Sequence, residues 1–369
     1  MNRPALVNQA AVMERVAVNT PGTMLITGAT GVVGAELAEQ ARESGWQVTG
    51  CSARGGTGVT AWRMGEAPAP PELTGPWDVI VNAAARPRWN LPTARATAAN
   101  VAPVGALAPL VGPRTHVIHV STAYVTGLRG SAGSERPDDY RNSYEWSKAA
   151  AEREAVERYG ATVVRPPLVI GRRSDGAVSR FTGLYSLIRS CVTGLLPAVV
   201  GDGEAFVETV TSCDVAACVL DLARDGRDGR DGCEGRDGRD GSGGQPVVLG
   251  TGEEACSVKE LVEVEFGTLN TWRAARGCGP LETPTIVTPE QWDRFYLPFA
   301  RPHLTARQLR AVELLSAFIP YMSTHEPIGV TRRVPPVRPA LRTCVRAWAD
   351  RHPRLAQGNP TPWVGEEET

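Results

Sequence analysis

Three glycines, each three residues from the next, separate an apolar run from a helical segment early in the chain. Met24-Leu25-Ile26-Thr27 reads as a short buried strand, and Gly28-Ala29-Thr30-Gly31-Val32-Val33-Gly34 follows at once. Residues 35–41 then have helical composition and an apolar face. Gly28 lets the backbone turn sharply, Gly31 lets it approach a pyrophosphate, and Gly34 lets helix and strand pack closely. The helix start presents unpaired N–H groups and the positive end of its dipole to the same point. A glycine-rich loop without flanking elements would carry no such meaning. Here both flanks are present, so 28–34 is expected to cradle a dinucleotide.

Strands and helices continue to alternate, which argues for a parallel sheet covered on both faces. A second strand is expected over 48–51, then a Pro-rich connection through Pro71, a strand over 78–83, and a helix over 97–110 broken near Pro103. A strand over 116–121 leads to the strongest helix, 144–159, ended by Gly160, and then to a strand over 162–165. Further on, a helix over 215–223, a strand over 246–250 and a helix over 341–351 are expected. Residues 224–241 are six triplets, Arg-Asp-Gly three times, Cys-Glu-Gly, then Arg-Asp-Gly twice. Without proline this is no collagen helix, and the Arg beside each Asp argues against a metal loop. A mobile surface insertion, 224–244, is the expectation.

Composition agrees with a large soluble enzyme. At 369 residues and a net charge of −1, neither a nucleic-acid footprint nor a polybasic membrane patch is indicated. No apolar run approaches the ~20 residues of a membrane span, and 1–22 reads as a leader lacking the apolar core of a secretion signal. The eight cysteines form no Cys-x-x-Cys. Cys191, Cys213 and Cys218 lie in apolar surroundings and are expected to be reduced and packed. The expected location is the cytoplasm, as a monomer or homodimer. No histidine stands at metal-site spacing from a second ligand, so no metal is expected, and His116 and His119 read as packing residues of a buried strand.

The chemistry centres on Tyr144-Glu145-Trp146-Ser147-Lys148, downstream of Ser121-Thr122. A tyrosine four residues before a lysine shares its helix face. An ammonium beside a phenol favours the phenolate and is expected to pull the tyrosine below its usual pKa of ~10. With a hydroxyl from Thr122, such a pair donates or accepts a proton at a carbonyl or carbinol, which hydride transfer requires.

Gly28–Gly34, Asn82-Ala83-Ala84-Ala85, Ser121-Thr122-Ala123-Tyr124-Val125, Tyr144-x-x-x-Lys148 and Arg165-Pro166-Pro167 occur in that order. In this the chain resembles the extended short-chain dehydrogenase/reductases, which include nucleotide-sugar epimerases and dehydratases. Three phrases resemble the acyl-thioester reductase branch, the fatty acyl-CoA reductase or male-sterility type: 119–125, 144–152, and 195–203 leading into Cys213-Asp214-Val215-Ala216. Trp77 through Ala85 is equally like sugar-nucleotide reductases. The resemblance implies a Rossmann-type doubly wound α/β fold over 23–260, with a smaller, mostly helical substrate lobe over 261–369 interleaved with 172–212. It also implies Thr122, Tyr144, Lys148 and Asn100 as catalytic residues, Asn100 propping the helix near the site. For the cofactor it implies Gly28, Thr30, Gly31, Val32, Val33 and Gly34, then Asn82, Ala83, Ala84, Ser121, Tyr144, Lys148, Pro166, Pro167 and Leu168.

Cofactor choice turns on the end of the second strand, where an acidic residue holds the ribose of NAD and an arginine accepts a 2′-phosphate. Cys51-Ser52-Ala53-Arg54 offers no acid, so Ser52 and Arg54 favour NADP(H), with NAD(H) remaining open. The family's acidic residue at the end of the third strand has no clear counterpart over 59–66. Trp272, Trp292, Phe295, Tyr296, Phe299, Phe318 and Tyr321 suit either an acyl pocket or an ordinary core. The expected activity is NADPH-dependent reduction of an acyl thioester, or of the aldehyde or ketone derived from it, in lipid or secondary metabolism. The substrate would be a small molecule or carrier-bound. An epimerase or dehydratase with bound NAD(P), and a non-catalytic dinucleotide sensor, are the alternatives.

Overall fold

Met24, Leu25 and Ile26 are fully buried, as are Val79, Ile80 and Val81, so these strands meet apolar partners on both faces. Such two-sided burial is the mark of a parallel sheet between helical layers. The computed structural model describes residues 22–231 and 244–360. Its main sheet comprises Thr23–Thr27 (β1), Gln47–Ser52 (β2), Val59–Ala61 (β3), Val79–Asn82 (β4), His116–Val120 (β5), Thr162–Arg165 (β6), Val247–Gly250 (β7) and Arg332–Arg333 (β8). Their order is β3-β2-β1-β4-β5-β6-β7-β8, with every neighbouring pair parallel. The strand order reverses between β1 and β4, and ligands of doubly wound sheets bind in the crevice beyond the strand ends there.

Helices Val32–Glu43 (α1) and Ser212–Asp231 (α3) pack together over Met24, Ile26, Val81, Ile118 and Val164. The opposite face is covered by residues 93–110 and by Ser143–Tyr159 (α2), over Leu25, Ile80 and Val117. Each fully buried Leu, Ile or Val contributes ~1.5–3 kcal/mol. The helix expected over 97–110 begins earlier, at Thr93, and opens into a wide π turn at Thr97–Val101 before Ala102–Gly105. Pro103 explains this: it brings no N–H and its ring crowds the carbonyl four residues back, so the turn widens ahead of it. Trp292–Tyr296 forms the same wide turn ahead of Pro298.

The expected loop over 224–241 is corrected in part. Helix α3 runs on through Arg224 to Asp231, well past the expected end at 223. A Cβ on Gly226 would stand 2.1 Å from His116 Nδ1, so a glycine is what lets this stretch lie against the edge of β5. Residues 232–241, the leader over 1–21 and the tail over 361–369 lie outside the described residues.

A second core draws on both 170–207 and 256–356. Helices Leu184–Val192, Val258–Ala274 (α4) and Arg338–Arg351 (α5) enclose Ile188, Leu261, Phe266, Leu269, Leu341 and Trp348. Ser257 and Glu260 close the start of α4 with a reciprocal capping box. Trp272 donates from Nε1 to Asp350 Oδ1 at 2.7 Å, joining α4 to α5.

Candidate active site

The glycine turn is built to fit a phosphate group. Gly28 has φ +68°, and a Cβ there would stand 2.7 Å from Ala83 O. A Cβ on Gly34 would stand 2.3 Å from Gly28 O, so helix and turn touch backbone to backbone. The helix α1 starts at Gly31 with no side-chain cap and no acidic residue in its first turn, which leaves its N–H groups for an anion. Thr30, Val32 and Val33 are half-buried around that start. At the end of β2, Ser52 is buried and donates to Gly55 O at 3.3 Å, while Arg54 is exposed. Gly56 reaches back to the cradle: a Cβ there would be 3.6 Å from Thr30 Cγ2.

Strands β4, β5 and β6 end beside this cradle. Ser121 N donates to Val164 O at 2.7 Å and Ala123 N to Pro166 O at 2.9 Å, which draws 165–167 alongside 121–123. Leu168 N continues the run with a bond to Glu208 O at 3.3 Å. Thr122 is extended and caps the short turn Ala123–Thr126, accepting from Tyr124 N at 3.4 Å. Ser121 Oγ is buried and has no hydrogen-bond partner among the described residues, an orphaned hydroxyl that suits a bound ligand.

Helix α2 brings the tyrosine and lysine over the strand ends. Its N-cap is Asn142, whose Oδ1 accepts from Glu145 N at 3.0 Å. Lys148 is 1% exposed; its Nζ donates to Val120 O at 2.7 Å and lies 3.3 Å from His119 Nε2. Burial pulls the lysine down to about 8, with Glu152 acting against that. Burial pushes the Tyr144 phenol up to about 12, helped by the adjacent Glu145. This corrects the expectation that Lys148 lowers Tyr144, because the lysine nitrogen is directed at Val120 O and His119. Asn100, in the π turn, donates to Ser147 Oγ at 2.8 Å and accepts from Arg86 N at 2.7 Å, tying the loop after β4 to α2. Asn82 accepts from Thr27 Oγ1 at 2.7 Å, and Thr27 Oγ1 in turn receives Ala84 N at 3.3 Å.

The other side of the site is aromatic. Trp89 packs on Phe318 with ring centroids 4.2 Å apart and on Tyr321 at 5.2 Å. Tyr321 also meets the edge of Tyr124 at 4.9 Å and lies under the Arg141 guanidinium, again at 4.9 Å. The Tyr321 hydroxyl bonds Glu145 and receives Asn142 Nδ2 at 2.7 Å, and Arg141 Nε donates to Glu145 at 2.9 Å. The aromatic stretch therefore divides: Trp272 and Trp292 are core, Phe295, Tyr296 and Phe299 are exposed, and Phe318 and Tyr321 line the site. Trp89, Arg141 and Glu145 were not expected there. Their only local signal is closeness in sequence to Ala85 and Tyr144. His119, expected to be a packing residue, touches Lys148.

Comparison with known proteins then adds the following. The NAD-binding family model described as male sterility protein matches residues 71–220, which takes in Asn82, Asn100, Thr122, Tyr144 and Lys148. Curated proteins give no match. The terminal R domain of the myxalamid PKS-NRPS biosynthetic pathway is similar in structure, with TM-score 0.62, 18% identity, and coverage of 90% of this chain and 91% of that one. A thiolation-reductase di-domain from an archaeal non-ribosomal peptide synthetase gives TM-score 0.57 and 16% identity over 90% of this chain and 76% of that one. UDP-glucuronic acid 4-epimerase from Bacillus cereus, in complex with NAD, gives 0.54 and 16% over 90% and 99%. Among the described residues no helix is long and apolar enough to cross a membrane, and no cluster of His, Cys, Asp and Glu has a metal-binding arrangement.

Proposed function

We propose that this chain, an NAD(P)-dependent enzyme of the extended short-chain dehydrogenase/reductase type, uses NADPH to reduce an acyl thioester, or the aldehyde or ketone derived from it. The dinucleotide, when bound, supplies hydride to the carbonyl carbon. Gly28, Gly31 and Gly34 hold its phosphates at the start of α1, Arg54 pairs with the 2′-phosphate, and Ser121 with residues 82–84 and 166–168 line the nicotinamide end. Tyr144 gives its phenolic proton to the carbonyl oxygen, and Thr122 orients that oxygen. A phenol held near 12 keeps its proton at neutral pH, as a general acid must. The Lys148 ammonium a turn away attracts the charge that develops on the phenol oxygen, without offsetting the burial that keeps the resting phenol protonated.

The observation that carries the choice of substrate is the aromatic cluster of Trp89, Tyr124, Phe318 and Tyr321, held against Asn142 and Glu145 at the start of α2. Flat apolar faces suit an acyl chain and the thin arm of a coenzyme or carrier, whereas a sugar ring asks for converging polar groups. The test is NADPH oxidation against a panel of acyl-coenzyme A thioesters, aldehydes and nucleotide sugars. Net oxidation with a thioester or aldehyde supports the reading. Conversion of a nucleotide sugar with no net oxidation, by a chain that purifies with bound NAD, replaces it with an epimerase.

A further inference from the structure

Lysine occurs at only two positions in this chain, Lys148 and Lys259, against 39 lysines and arginines together. Elsewhere arginine supplies the positive charge. A guanidinium does not give up its proton in a protein and spreads its donors over a wide plane, whereas an ammonium is compact and can titrate. Position 148 keeps the titratable group and buries it, while Lys259 is exposed.

What lies behind that buried nitrogen is a row of polar side chains across the sheet. The parallel register sets Thr27 opposite Asn82 and Asn82 opposite His119, so three adjacent strands place them side by side on the face that α2 covers. All three are at most 1% exposed. Thr27 Oγ1 donates to Asn82 Oδ1 at 2.7 Å, Asn82 Nδ2 lies 3.2 Å from His119 Nδ1, and His119 Nε2 lies 3.3 Å from Lys148 Nζ. On other positions of this face the strands present Leu25, Ile80 and Val117. A polar row amid such neighbours persists only if it is satisfied and used.

The row can meet the lysine in either protonation state. Burial, with Lys148 beside it, holds His119 neutral, and a neutral imidazole has one donor nitrogen and one acceptor. Facing an ammonium, Nε2 accepts the charge-assisted bond, and the Asn82 amide turns over so that its oxygen takes Nδ1–H and its nitrogen donates to Thr27 Oγ1. Facing a free amine, Nε2–H donates and Nδ1 accepts from the Asn82 amide, whose own oxygen takes the Thr27 hydroxyl. We infer that His119 is a positioning residue for Lys148, holding its nitrogen at the strand ends and favouring its protonated form. This rests on the reading of Tyr144 and Lys148 as the reacting pair. The other titratable groups around them are Tyr144 and Glu152 of α2, the latter paired with Arg165 of β6. Thr27 of β1, Asn82 of β4 and Asn100 of the 93–105 segment do not titrate.

The test uses the whole chain labelled with 13C-lysine, which gives two Cε signals, assigned through Lys259→Arg. In His119→Phe the Lys148 midpoint should fall by about one to two pH units, the size of a lost hydrogen bond to a charged group. His119→Gln, which keeps an acceptor and a donor, should recover most of it, and Lys259 should not move. The high-pH fall in kcat should move down in step. A Lys148 midpoint unchanged in His119→Phe overturns the inference. If that variant does not fold, Asn82→Ala carries the test: a smaller fall supports the row and none overturns it. The NMR arm decides this point even if the wild type oxidises no NADPH, in which case the reductase reading fails separately.

Discussion

On the sheet, Thr27, Asn82, His119 and Lys148 are at most 1% exposed and each has a hydrogen-bond partner. In the second core Glu265 is as deeply buried, yet neither of its carboxylate oxygens has a partner among the described residues. Burial pushes its carboxyl well above the usual range. An unsatisfied buried polar group costs ~1–3 kcal/mol, so the two cores spend their polar groups differently. Beneath the site the groups are linked into one row that ends on Lys148. In the lobe the carboxyl avoids charge by holding its proton.

The largest effect should come from the tyrosine one turn before Lys148 on α2. Tyr144→Phe is expected to lower kcat by about 10²–10⁴-fold, or ~3–5 kcal/mol, while NADPH affinity hardly changes. Near-normal turnover would remove Tyr144 from the chemistry. Next comes Arg54→Ala. Losing a charge-assisted bond of ~1.5–3 kcal/mol should reduce the NADPH/NADH selectivity by about one to two decades, less at high salt. Binding titrations of both cofactors decide it, and equal weakening of both would remove Arg54 from the 2′-phosphate.

The lobe supplies the contrasting case. The folded state raises the Glu265 pKa above its unfolded value of ~4.3, so its contribution to stability is complete at low pH and declines as pH rises from there toward the folded value. Glu265→Met removes that decline and should stabilise the protein by ~1–3 kcal/mol near neutrality, with a smaller gain below about pH 4, where the carboxyl is protonated in both states. Thermal melts across pH measure it, and a destabilised variant at pH 7 would show that the carboxyl is held by something the contrast omits. The smallest effect is expected where the two halves touch. Tyr321→Phe keeps the stacking on Trp89 but loses the bonds to Glu145 and Asn142, so the acyl-substrate KM should rise about threefold to tenfold, ~0.5–1.5 kcal/mol, with kcat less affected.

How far the sequence could be read follows from the range of the signals. The β1 strand, glycine turn and α1 helix are local, as is the Tyr144–Lys148 spacing, so each is legible from a few consecutive residues. His119 was not, because its role depends on a strand register that joins residues 82 and 119. The aromatic stretch could not be sorted for the same reason: only the folded lobe sends Trp272 inward and Phe318 to Trp89. The Arg-Asp-Gly triplets have poor helix propensity, and packing of Gly226 on His116 overrides it as far as Asp231. The direction of the Tyr144 shift is not legible in the sequence, because helix spacing gives proximity to Lys148 but not where its nitrogen points.

Net hydride transfer to a carbonyl by this site can be followed with an isotope. It is tested most directly by incubating the enzyme with an acyl-coenzyme A thioester and NADPH carrying deuterium at C4, then analysing the product by mass spectrometry. The expected product is an aldehyde or alcohol one mass unit heavier for each hydride delivered, formed by wild type and not by Tyr144→Phe. A product without deuterium, or turnover confined to nucleotide sugars with the cofactor label untouched, would contradict that transfer.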